Sequence, residues 1–272
     1  MKAPAFDYKR ARTLDEASAL LGGNAGSMVI AGGQTLGPML NLRLTQPTLL
    51  VDITRIPGMT TVQETSSEVI LGACITHANF EDGRVPDATG GFLARVAKGI
   101  AYRAVRTRGT VGGSIAHADP ASDWVSTLIA LHAEVDIHGG AGRRTMPLEQ
   151  FVKGPLSTDL RISELVSAIR VKKDAAGDSF GYAKLCRKTG EFAEAIGVVR
   201  RFSNGKKVRL IAGRSDGSPI VIENGADFIA GRSIEREQLY PYLIERGLRD
   251  DSYSRGIHMA ALQRALDESW GV

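Results

Sequence analysis

The chain has 272 residues, 43% hydrophobic and 24% charged, enough to bury a sizeable core in two domains, or in one domain with an appendage. Its 34 basic and 30 acidic residues leave a net charge of only +4, and the basic residues are scattered apart from short groups at Arg103–Arg106–Arg108, Arg143–Arg144 and Arg200–Arg201. A surface that tracks nucleic-acid phosphates needs a denser basic stripe.

The first residues lack an apolar signal-peptide core, and no stretch approaches the ~18 apolar residues of a membrane span. Thr13 and Glu16 form a capping box that predicts a helix over 14–21. A glycine-rich break at 22–27 leads to a short apolar strand, Met28–Ala31, which runs into Gly32–Gly33. Leu49–Ile53 and Val69–Ala73 read as buried strands bounded by turn residues. A helix is predicted over 91–105, ending before a second glycine cluster at 108–114. Asp119–Pro120 reads as a helix start, with Asp119 as cap and Pro120 in the first position. That helix runs through Trp124, Leu128 and Leu131 until Glu134–His138 becomes a strand.

Gly139–Gly140 then turns the chain, and Leu165–Val171 alternates as a strand does. Strands are predicted over 180–186 and 194–202, with a hairpin turn at Ser203–Asn204–Gly205–Lys206 into 207–212. Helical patterns cover Ile234–Glu245 and Tyr253–Glu268. The change of character at 173–179 divides the chain in two, and the organisation is α+β. Cys74 and Cys186 lie in apolar or strand-like stretches and read as reduced core thiols, as expected of a cytoplasmic protein.

Both glycine clusters show an apolar strand, two adjacent glycines and a small polar residue: Ala31–Gly32–Gly33–Gln34–Thr35, and Thr110–Val111–Gly112–Gly113–Ser114. Glycine lets backbone amides approach a ligand without an intervening β-carbon, and consecutive inward amides form a concave anion site. Two such loops could grip a pyrophosphate from both sides, whereas a single Gly-Gly after a strand is more often only a turn. No GxGxxG opens a βαβ unit and no GxxxxGK[ST] occurs, so neither a Rossmann site nor a Walker loop is supported. The five histidines have no metal-ligand spacing, and no serine sits in an elbow motif. Arg106 and Arg108 precede the second cluster and either orient it or face solvent.

AGGQTLGPMLNLRL at 31–44 and RGTVGGSIAHADPASDWVSTLIAL at 108–131 resemble the two flavin-binding segments of the medium subunits of molybdenum hydroxylases, the group of carbon monoxide dehydrogenase and xanthine dehydrogenase. ELVSAIRV at 164–171, YAKLCRKTGEFAEAIGV at 182–198 and DDSYSRGIHMAALQRAL at 250–266 are similar to that family's later strands and its C-terminal α/β domain. The resemblance covers nearly the whole chain. It implies a two-lobed FAD-binding domain of the p-cresol methylhydroxylase type over 1–173, with lobes about 1–60 and 61–173. A smaller C-terminal α/β domain of the carbon monoxide dehydrogenase flavoprotein type would follow at 177–272.

The cofactor-binding positions the resemblance implies are Val29, Ile30, Ala31, Gly32, Gly33, Gln34, Thr35 and Leu36 in the first segment. In the second they are Gly109, Thr110, Gly113, Ser114, His117, Ala121, Ser122 and Asp123. Leu165 or Val166 would lie beside the flavin ring and Lys184 near it. Three positions depart from the family pattern. Ser114 stands where the second motif often ends in Asn or Asp, Ile100 where some relatives have an aromatic residue, and Glu191 where some have an aspartate.

The implied function is that of a flavoprotein subunit of an oxidoreductase. A large molybdenum subunit would hydroxylate substrate, and electrons would pass through a small iron–sulfur subunit to non-covalent FAD here, then to an external acceptor. Two copies of each chain are expected. Two cysteines cannot hold a four-cysteine cluster, so iron–sulfur centres and the molybdenum cofactor belong on partner subunits. The alternative is a self-contained FAD-dependent oxidoreductase with its own organic substrate. A third, from another class, is a ligand-binding or assembly protein without cofactor.

Overall fold

The computed structural model describes residues 2–173, 177–205 and 207–271. Lys206 of the expected hairpin turn, and residues 174–176 of the expected boundary, lie outside the described residues.

The fold opens with β1 (Asp7–Arg10), α1 (Leu14–Gly23), β2 (Ser27–Ile30), α2 (Leu36–Asn41) and β3 (Leu49–Asp52). The three strands are parallel in the order β1-β3-β2, so each connection is a crossover. Thr13 Oγ1 accepts from the Glu16 amide at the start of α1, and the Glu16 carboxylate accepts in return from the Arg12 amide at 2.7 Å.

Next come β4 (Val62–Glu64), β5 (Glu68–Gly72) and six helices: α3 (His77–Glu81), α4 (Phe92–Gly99), α5 (Arg103–Arg106), α6 (Val111–His117), α7 (Asp123–Ala130) and α8 (Leu148–Phe151). Strands β6 (Glu134–Gly139) and β7 (Gly142–Pro147) form a hairpin ahead of α8, and β8 (Val152–Gly154) pairs with β9 (Ser157–Thr158) after it. With β10 (Leu165–Lys172) the second sheet is complete, antiparallel, in the order β4-β5-β10-β6-β7.

A third sheet, also antiparallel, contains β11 (Ser179–Leu185), β12 (Ala195–Arg201), β13 (Val208–Arg214) and β14 (Ile220–Ile222) in sequence order. It is followed by the short ribbon β15 (Ile229–Ala230) and β16 (Ser233–Ile234), then α9 (Arg236–Glu245) and α10 (Ser252–Ser269). One face of the third sheet, with Phe180, Ile196, Val198 and Ile211, joins the main core around Trp124 and Leu128 of α7. The other face, with Val199, Leu210 and Ala212, packs on Leu239 and Leu243 of α9 and Leu262, Ala265 and Leu266 of α10. Burial on both faces explains why β12 reads as a near-continuous apolar run.

Three local expectations are corrected. The helix expected over 91–105 is two, α4 and α5, separated at Ile100–Tyr102, where Ala101 takes a positive φ of 42°. Arg106 holds that break: its Nη1 donates to the Ile100 and Ala101 carbonyls at 2.9 and 3.0 Å. The helix expected from Asp119 starts at Asp123 instead. Asp119 forms a turn ahead of it, its carboxylate accepting from the Ala121 amide and its carbonyl from the Ser122 amide, both at 2.9 Å. The second glycine pair follows no strand but lies in the first turn of α6, which Thr110 caps through the Gly113 amide at 3.1 Å.

Cys74 is buried, and burial pushes its thiol up to about 12. Cys186 is only half-buried, at the end of β11 and not in the core. No helix among the described residues is long and apolar enough to cross a membrane.

Candidate functional site

The loop leaving β2, the α4–α5 break, α6, the start of α7, β10 and β11 surround one cavity of about 1120 Å³. That is at or above the ~300–1,000 Å³ of ordinary small-molecule sites. Every residue singled out above as a cofactor contact lines it except Ile30, whose Cδ1 lies under Gly33. Ile100, Ser114 and Glu191, the three departures from the family pattern, are also on the wall.

The two glycine segments differ in what they offer. The amides of residues 32–36 make no hydrogen bond among the described residues, and Gly33 takes a positive φ of 70°. This loop is therefore a run of free donors open to the cavity. In the second segment the amides are largely spent: Val111 on the Ile75 carbonyl, Gly112 on the Ala73 carbonyl, and Gly113 on the Thr110 hydroxyl. What α6 and the turn behind it present is the Ser114 hydroxyl, the His117 ring and the Ser122 hydroxyl, none of which bonds to protein among the described residues. The expectation of two equivalent amide cradles gives way to one cradle faced by side-chain donors.

The segments also touch each other. A β-carbon on Gly32 would sit 2.0 Å from the Arg108 carbonyl oxygen and 2.9 Å from the Gly109 Cα. Part of the glycine requirement thus comes from backbone packed on backbone. Arg106, buried, is the residue that orients the approach to this crossing. Its Nε and Nη2 donate to Glu81 at 2.8 and 2.9 Å. Arg108 is exposed and contributes its carbonyl.

Asp123, at the first position of α7, lines the cavity with its carboxylate engaged. Tyr182 Oη donates to one oxygen, and Lys184 Nζ donates to the other at 3.3 Å. Burial pushes the Asp123 carboxyl up, and the Lys184 ammonium opposes that shift. Any bond from Asp123 to a ligand therefore shares an oxygen with one of these partners. Leu165 and Val166 are buried at the head of β10, beside an irregularity in the pairing between Val166 and Ala168.

Several wall residues carried no recognisable sequence signal. His77, at the start of α3, accepts at Nδ1 from the Trp124 indole at 2.9 Å. Tyr102 and Phe192 are 61% and 75% exposed, and both line the cavity. No group of three His, Cys, Asp or Glu side chains placed to hold a metal occurs among the described residues.

The profile of a family described as the FAD binding domain in molybdopterin dehydrogenase matches residues 4–172. The carbon monoxide dehydrogenase medium chain of Hydrogenophaga pseudoflava is 34% identical over 285 residues, covering 99% of each chain. The nicotine 6-hydroxylase medium subunit of Paenarthrobacter nicotinovorans is 30% identical over 267 residues, covering 97% of this chain and 93% of the relative. Among solved structures, a carbon monoxide dehydrogenase from Hydrogenophaga pseudoflava superposes with a TM-score of 0.88 at 32% identity, over 100% of this chain and 99% of that one. Quinoline 2-oxidoreductase from Pseudomonas putida 86 gives 0.88 at 27% identity with the same coverage.

Proposed function

Because the chain belongs to the family of FAD-binding medium subunits of molybdenum hydroxylases, we propose that it relays electrons within such a complex, from a small iron–sulfur subunit to an external acceptor. The observation that carries this reading is the single cavity joining both glycine segments, lined by an open run of donor amides on one side and by hydroxyl and imidazole groups on the other.

The residues present fit FAD. Amides 32–36 suit an acceptor-rich pyrophosphate, as free backbone donors do wherever they converge. Leu165, Val166 and Ile100 offer apolar wall to a planar ring. Bound there, FAD would supply the redox chemistry, and the protein would supply binding, orientation and electrostatics. Lys184, with 10% of its side chain exposed, brings positive charge to the wall, and Asp123 holds it in place. The binding set we propose is 29–36, Gly109, Thr110, Gly113, Ser114, His117, 121–123, Leu165, Val166 and Lys184. Ile30 acts by supporting Gly33 from behind.

We further infer non-covalent attachment, a two-lobed domain of the p-cresol methylhydroxylase type up to about residue 173, a C-terminal domain from 177, and a cytoplasmic assembly with two copies each of this chain, the iron–sulfur subunit and the molybdenum subunit. The test is co-expression with the companion chains. The flavin absorbance of the complex should bleach when the complex's own substrate is added, while the purified chain alone keeps its flavin and hydroxylates nothing. Full substrate hydroxylation by this chain alone would refute the relay.

A further inference from the structure

His77 is 4% exposed, lies on the cavity wall, and belongs to none of the binding positions above. Its ring state is set by its neighbour. Indole Nε1–H is donor only, so Nδ1 of His77, 2.9 Å away, must accept. A neutral imidazole that accepts at Nδ1 carries its proton at Nε2. Burial, and secondarily the nearby Arg106 charge, hold the ring's pKa down to about 4, so the ring is uncharged at neutral pH.

Nε2 makes no hydrogen bond among the described residues. It abuts Gly109, where a β-carbon would come within 2.7 Å of it, and Gly109 with the Arg108 carbonyl is what Gly32 packs against. The free corner of the ring therefore sits one glycine away from the loop whose amides are also without partners. That N–H opens on the cavity, beside the unpaired amides of 32–36, which are donors as well. An acceptor-rich group in the cavity would meet donors from both sides.

Resting on the FAD reading above, we propose that His77 donates its Nε2–H to the dinucleotide's pyrophosphate where the two glycine segments cross, with Trp124 as the positioning residue that fixes the donating tautomer. The imidazole, held against Gly109 of the second segment, complements the amides of 32–36. From α3, it adds a directed ring donor to the Ser114, His117 and Ser122 groups that the second segment presents.

The test titrates the full chain, freed of flavin, with FAD, ADP and riboflavin. The first two carry a pyrophosphate and the third does not. His77→Leu should weaken FAD and ADP by roughly ten- to a hundred-fold, as loss of one hydrogen bond to a charged group does. Riboflavin binding should be unchanged, and His77→Gln, which keeps an acceptor and a donor, should recover most of the loss. Unchanged ADP and FAD binding, or an equal loss for riboflavin, would overturn the proposal. A wild-type chain that bound no FAD would instead overturn the functional reading. If His77→Leu does not fold, NMR of the wild-type ring decides: ADP should shift the Nε2 proton downfield, and an unmoved resonance would overturn the proposal.

Discussion

The Cα of Gly32 packs so closely on the Arg108 carbonyl that a β-carbon there would lie 2.0 Å from its oxygen. The two glycine segments, 76 residues apart in sequence between these positions, are thereby locked into one wall. Gly32→Ala should push the segments apart at a cost of about 1–3 kcal/mol, seen as roughly ten- to hundred-fold weaker FAD binding. Gly37→Ala is the control, since a β-carbon there meets nothing within 4 Å. Fluorescence titration with FAD checks both, and equal affinities would show that the contact does not shape the site.

Gly113→Val should lose FAD and also lower stability. A β-carbon at Gly113 would lie 2.8 Å from Thr110 Oγ1, the group that caps α6. Losing such a cap costs about 1 kcal/mol. The flavin-to-protein absorbance ratio and the melting temperature should fall together. A variant that purifies with full flavin would remove Gly113 from the binding set.

Much of this fold is legible locally. The Thr13–Glu16 box, the strand over 165–171 and the hairpin after residue 202 depend on residues within a few positions of one another. The breaks come where distant groups intervene. Ala101 interrupts a good helical pattern because Arg106, anchored by Glu81 from α3, takes up the carbonyls a continuous helix would have used. Asp119 and Ser122 both look like caps, and the turn that Asp119 makes with Ala121 and Ser122 decides which begins the helix. In the candidate site, the glycine pairs stand out in sequence, but Gly112 and Gly113 look like a second amide cradle only until their amides are traced to Ala73 and Thr110. His77 gives no local signal, because its meaning comes from Trp124, 47 residues away.

Glu81 supports that interrupted helix through Arg106, and the pairing makes a pH signature. Hydrogen bonds from Arg106, foremost, and from Arg103 hold the Glu81 carboxyl below its ordinary value of 4.5. A depressed folded value means the stabilisation is fully present above about 4.5 and is lost as pH falls through the folded value. Glu81→Gln, which leaves Arg106 buried without its anion, should cost about 3 kcal/mol at pH 7. The gap from wild type should narrow below pH 4.5 in thermal melts. A gap constant down to pH 3 would assign Glu81 a packing role only.

The flavin should be released in full by acid precipitation. His77 and His117 are the histidines on the cavity wall, and His77 Nδ1 is already occupied by Trp124. Yellow colour remaining in the washed pellet would identify a covalent link, with His117 the first residue to examine by peptide mapping.

The most direct measurement is the flavin content of the purified full chain, incubated with FAD and passed through a desalting column, alongside Gly32→Ala treated identically. We expect one FAD per wild-type chain and a clear deficit in the variant. A wild-type chain that emerges colourless, or a variant that retains as much flavin as wild type, would contradict the assignment of this cavity.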